Sequence, residues 1–272
     1  MKTLVYTEWL KMRKYNAFWW IMGVTTLAYP GINYIFFYVY DSIVNNPTQA
    51  GQLAKIALGN PFSFPEAWHT VAYFSSWFVF MPAVVVIMFI TNEYSFKTHR
   101  QNIIDGWSRK QFIASKLIDV LLITLIITLL YAIISLITGT VNEERLIKST
   151  WEQVYYVGLF ALQTFSQLSI AFMIGFLVKK SFIALGIFIF YLFPFEPIAV
   201  ALLKEYANDA GRFLPIEVSD RLIPRPAFLG KLDEEGYKAS LDAIPQHIFL
   251  TLLLTTFIWL ICLWIHKKRD LK

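Results

Sequence analysis

The sequence is poor in charge and nearly without cysteine. Only 16% of its 272 residues are Asp, Glu, Lys or Arg, where a soluble domain carries about a quarter. Its hydrophobic share is 57%, the opposite of the balance that disorder requires. The single cysteine, Cys262, lies in an apolar run. It excludes a disulfide framework and reads as a small apolar side chain. No G-x-x-x-x-G-K-[ST] loop is present to cradle ATP phosphates, and H-E-x-x-H and G-x-S-x-G are absent too. His69, His99, His247 and His266 are scattered, with no ligand partner at metal spacing. The chain is therefore expected to carry no catalytic, cofactor or metal site of its own.

What it does contain is apolar sequence in long blocks. The mean hydropathy of +0.52 is too high for one soluble core. Continuous blocks select helices over a membrane barrel, whose strands alternate. A hydrocarbon core of about 30 Å needs about 20 apolar residues as a helix. Six stretches qualify: Ala17–Tyr40, Val71–Thr91, Leu117–Thr138, Val154–Val178, Phe182–Ala201 and His247–Ile265. The expectation is an all-α, polytopic single membrane domain over residues 1–272, with kinks at Pro30 and Pro82. Lys179-Lys180-Ser181 leaves room only for a tight turn. The first span exceeds a signal-peptide core and is expected to remain as an anchor.

Charge sets the orientation. Fifteen Lys and Arg flank one side of these spans: Lys2, Lys11, Arg13, Lys14, Lys97, Arg100, Arg109, Lys110, Lys116, Lys179, Lys180, Lys267, Lys268, Arg269 and Lys272. The short connections of the other side hold three, Lys55, Arg145 and Lys148. The positive-inside rule puts both termini in the cytoplasm and the long loop 202–246 outside. That loop is expected to hold one or two short helices. The basic balance is thus a topology signal, and no basic domain exists to bind nucleic acid.

Two cytoplasmic segments carry pattern. At the N-terminus Val5, Trp9 and Met12 form a helical stripe among basic residues, as in an interfacial helix on lipid. Between spans two and three, Ile103, Ile104 and Trp107 share one face of a short helix, with a turn signalled by Gly106 and Ser108. Glu93 stands five residues before Thr98, Thr98 eleven before Arg109, and Arg109 seven before Lys116, with Ser108-Arg109 adjacent. On this spacing the chain resembles the membrane subunits of ABC-2-type ABC transporters, whose pattern here is E-x4-(G)-T, then P-x-S-R, then G-K. Lys97, Gly106 and Ser115 depart from the usual glycine, proline and glycine.

The resemblance implies a permease subunit in a prokaryotic plasma membrane, working as a homodimer or with a paralogue. It implies cytoplasmic ATPase subunits that carry the ATP and Mg, no cofactor on this chain, and export more often than import. Its coupling helix would fall in 92–116, with Glu93, Thr98, Ile103, Ile104, Trp107, Arg109 and Lys116 as the residues that meet or position the ATPase.

Polar faces inside the spans are the other candidates. Thr124, Thr128, Tyr131, Ser135 and Thr138 share one face of the third span, and Gln163, Ser166 and Gln167 one face of the fourth. They read as a translocation path or as helix–helix hydrogen bonding. Two prolines around Glu196 are expected to break the fifth helix, leaving the acid within the membrane or in the loop. Asp119, three residues after Lys116, reads as a local ion-pair partner. Trp19, Trp20, Tyr38, Tyr40, Trp68, Trp151, Tyr155 and Trp264 read as interfacial belts. Two rival functions remain open. A lipid-modifying intramembrane enzyme would have to use Glu196 with His247. An ATP-independent carrier or channel would need more ionisable groups inside the spans.

Overall fold

The computed structural model describes residues 2–45, 58–104, 106–142, 150–230 and 233–268. Lys55, Arg145, Lys148, Arg269 and Lys272, which enter the charge count above, lie outside them. Among the described residues every regular element is helical. In chain order these are α1 Lys2–Lys14, α2 Asn16–Val44, α3 Ala67–Ser76, α4 Phe80–Ser95, α5 Thr98–Ile104, α6 Arg109–Val141 and α7 Tyr155–Val178. They continue with α8 Ser181–Phe190, α9 Glu196–Tyr206, α10 Pro215–Asp220, α11 Ala227–Gly230, α12 Glu234–Asp242 and α13 Ile244–Lys268.

Four continuous helical stretches are long and apolar enough to cross a membrane: α6, α7, Ser181–Tyr206 and α13. A fifth is the pair α3 and α4, bent by 49°. Helix α2 has 29 residues, about 43 Å at 1.5 Å per residue. It is long enough, but Trp19, Trp20, Tyr29, Asn33, Tyr34 and Tyr38 lower its hydropathy. Helix α7 is central: 61% of its most apolar stretch is buried within the protein, against 17% for Ser181–Tyr206. Helix α6 divides its surface by periodicity. Ile123, Ile127, Tyr131 and Ile134 face the bundle, while Leu121, Leu125, Leu129 and Ile133 face outward.

Three expectations are corrected. The second span is not one rod kinked at Pro82. It bends upstream, at Trp77–Val79, and Pro82 lies in the first turn of α4. There a proline lacks only an N–H that the helix does not need. The fifth helix does not break at its prolines. Tyr191–Phe195 forms a π-turn in which the Glu196 N–H reaches back to the Tyr191 carbonyl, and Pro197 falls in the first turn of α9. Trp68 belongs to no belt. It is 1% exposed, and its indole N–H donates to the Thr150 carbonyl at 2.8 Å.

Other expectations stand. Lys179, with φ of 61°, ends α7 in the left-handed region and starts the tight turn into α8. Cys262 is buried. The segment after Tyr206 folds as short helices against the bundle, more of them than expected. Gly211 is required there, because a Cβ would lie 2.8 Å from the Val200 Cα.

Candidate functional site

The spaced residues after span two meet in one place. Helix α6 begins with a capping box: the Ser108 hydroxyl accepts from the Gln111 N–H at 3.2 Å, and the Gln111 side chain accepts from the Ser108 N–H at 2.7 Å. This fixes the first turns of α6 and points Lys116 into the bundle, where it is 2% exposed. Its Nζ lies 2.6 Å from Glu8 Oε2, 3.0 Å from Glu93 Oε1 and 2.9 Å from Asp119 Oδ2. Lys11 closes the group, 3.0 Å from Glu8 Oε1 and 2.9 Å from Glu93 Oε1. Helices α1, α4 and α6 are thus joined by three carboxylates and two ammonium groups.

Helix α5 hangs from the same joint. Thr98 donates to Glu93 Oε2 at 3.1 Å. His99 Nδ1 lies 3.0 Å from the Glu93 carbonyl, which can only accept, so that nitrogen carries the proton. Burial, aided by nearby Arg100, holds the His99 imidazole below the usual histidine range. The Lys11 ammonium sits over the Trp107 ring at 5.7 Å. Gly106, with φ of +97°, makes the turn between α5 and α6. Ile103 is half-buried, and Ile104 is 78% exposed at the tip. Arg109 turns the other way and donates to the carbonyls of His266 and Lys267 at the end of α13, at 3.3 and 2.5 Å.

Glu8 is the member that sequence reading missed. Burial opposes its ionisation, but the charges of Lys116 and Lys11 more than offset this and hold it below the usual carboxylate range. A folded value below the unfolded one means that this stabilisation is complete above the unfolded value and fades as pH falls through the folded one. Helix α1 is therefore expected to loosen below about pH 4. The distance between spin labels at exposed Tyr6 and Lys110 checks this: it stays narrow at neutral pH and broadens in acid. No acid broadening would contradict the assignment.

Among the described residues no hydrogen bond joins the polar face of span three to that of span four. Thr124 donates to the Val120 carbonyl of its own helix, and Tyr131 donates to the Trp68 carbonyl at 2.7 Å. Thr128 and Ser135 are buried, and their hydroxyls have no hydrogen-bond partner among the described residues. Gln163 and Gln167 both donate to Asp220 Oδ1 of α10, at 2.8 and 2.7 Å. Glu196 is buried, and its Oε1 accepts the N–H groups of Ile216 and Glu217 at 2.8 and 2.7 Å. It caps α10 from twenty residues away in sequence. No hydrogen bond joins Glu196 to His247 among the described residues. The Glu196→Leu variant leaves two N–H groups unpaired, at about 1–2 kcal/mol. Amide exchange in α10 should accelerate about tenfold, and unchanged exchange would rule out the capping role.

The class defined by this architecture is an all-helical protein with four membrane-length helices, or five with the bent pair, around a buried ion-paired joint. Residues 53–272, most of the chain, match the family described as "Protein of unknown function (DUF2705)", and the chain belongs to it. No curated protein matches the sequence.

Proposed function

We propose that this protein is the membrane-spanning subunit of an ATP-driven transporter of the ABC-2 type. In this reading α2 and the bent pair each count as one span, which gives six with both termini cytoplasmic in a prokaryotic plasma membrane. A separate ATPase carries ATP and Mg, a second permease copy or paralogue completes the pore, and lipid surrounds it. Export is the favoured direction.

One observation carries the reading. Glu93, Thr98 and Lys116, the residues that carry the family resemblance, link α5 to α1 through the buried joint, with Ile104 projecting. A short helix fixed to two larger elements can pass on a push applied at its tip. Nucleotide would shift the spans only by binding one arrangement better than the other.

The test is mild-detergent purification of the tagged protein with mass spectrometry of its companions. A stoichiometric protein containing a phosphate-loop lysine is expected, and it should be lost in the Ile104→Asp variant. Purification alone, or retention of the partner in that variant, would overturn the reading. Arg109 is a poorer target, because its contacts to the end of α13 tie it to the fold.

A further inference from the structure

At the far end of α7 a second polar site stands apart from the joint. Gln163 lies fifteen residues from the α7 terminus at Val178, about 22 Å along the helix. Asp220 is accessible, and both amide donors, Gln163 and Gln167, bind its Oδ1. Its Oδ2 takes no hydrogen bond and no ion pair among the described residues. Gln163 is 1% exposed, and its carbonyl Oε1 has no partner. That carbonyl belongs to the same planar amide whose nitrogen touches Asp220. Two acceptors, one of them anionic, thus belong to side chains in direct contact and have no donor among the described residues.

The surroundings favour positive charge. Glu217 is already paired with Arg221, Nε to Oε1 at 2.7 Å, and Arg221 also binds Asp209. Glu196 is occupied by the N–H groups of α10. The Tyr73 hydroxyl of α3 is within electrostatic reach of Asp220 and of exposed Arg225, which is hydrogen-bonded to it. His247 of α13 lies beside Arg221 and Glu217. Arg221 is the counter-charge of Glu217 and Asp209, and N–H groups satisfy Glu196, whereas Asp220 has no ion pair among the described residues. No group of three or more His, Cys, Asp or Glu among the described residues could hold a metal. A primary ammonium or guanidinium, with several N–H donors, fits one carboxylate oxygen and one carbonyl.

We propose that Asp220, with Gln163, binds an organic ammonium or guanidinium group at this end of the bundle. Although Asp220 can be reached from outside, protein surrounds its carboxyl. That burial, with Glu217 and Glu196 nearby, raises its pKa to about 7 against the two amide hydrogen bonds. Proton and organic cation therefore compete for one carboxylate near neutral pH.

The experiment uses the full chain in phosphatidylglycerol nanodiscs, whose headgroups carry no ammonium. It titrates ethylammonium and methylguanidinium calorimetrically, with sodium chloride at matched ionic strength as control. Saturable binding is expected, strengthening from about pH 6 to about pH 8 as the proton leaves. Asp220→Asn should weaken it about tenfold or more, and Gln163→Leu severalfold. Competition by added phosphatidylethanolamine assigns the ammonium to a lipid headgroup, and its absence assigns it to a solute. No saturable binding to folded wild-type protein at about pH 8, or equal binding by Asp220→Asn, overturns the proposal. Should that variant not fold, a pH-independent wild-type affinity overturns it. No ATPase partner enters this measurement, so its failure is distinct from failure of the transporter reading.

Discussion

Replacing Lys116 by methionine is expected to destabilise the protein by about 3–5 kcal/mol, the effect of removing one partner from a buried charge network. Among the described residues, Lys116 alone bonds all three of Glu8, Glu93 and Asp119. Without it, Lys11 still binds Glu8 and Glu93, but Asp119 faces a buried site with no cation. Methionine fills much of the lysine stem's space, so the loss reports charge rather than a cavity. Thermal unfolding in nanodiscs measures it. The informative control adds Asp119→Asn and Glu8→Gln to Lys116→Met. That variant carries no uncompensated buried charge and should recover most of the stability, since neutral substitutes for buried ion networks are often tolerated. A single variant as stable as wild type would mean that the three carboxylates relax or take up protons without penalty.

The joint was half legible in the sequence. Glu93, Thr98 and Lys116 lie on neighbouring segments, and their spacing marks them. Glu8 lies 108 residues from Lys116, and no local pattern links them. One signal was available: Glu8 falls three residues after Val5 and four before Met12. That places an acid on the apolar stripe of α1, which on a surface helix asks for a buried partner. Reading the stripe as a lipid contact fits Val5 and Trp9, which are exposed, but not Met12, which is buried in the bundle, and it passes over the acid beside Trp9.

The long helices followed from composition, because runs such as the one in α6 can be satisfied only in lipid or in a core. Their irregularities did not. Pro194 and Pro197 carry a break signal, but a π-turn absorbs one missing donor and a helix first turn absorbs the other. The bend between α3 and α4 falls upstream of Pro82, the residue that signals it. Gln163 and Gln167 were recognisable as a polar face, yet their partner Asp220 sits in the long loop, where sequence suggests short helices without placing them against the spans. Tertiary pairing supplied what periodicity could not.

The Ile104→Asp variant is expected to separate assembly from folding. Ile104 is 78% exposed on α5, so the isolated chain loses little when it is changed, within about 0.5 kcal/mol for an exposed position. In a complex the same position would be an apolar anchor pressed into a groove, and a carboxylate there must be desolvated without a partner. Truncating such an anchor costs about 2 kcal/mol or more, which is about thirtyfold in affinity. Lys116→Met should behave differently, lowering thermal stability and partner retention together. Measuring both quantities on both variants distinguishes a docking residue from a residue that holds the docking helix in place. Partner loss in Ile104→Asp at unchanged stability assigns the contact to α5. Equal retention by wild type and Ile104→Asp removes α5 from the interface, and the transporter reading then loses the segment on which it rests.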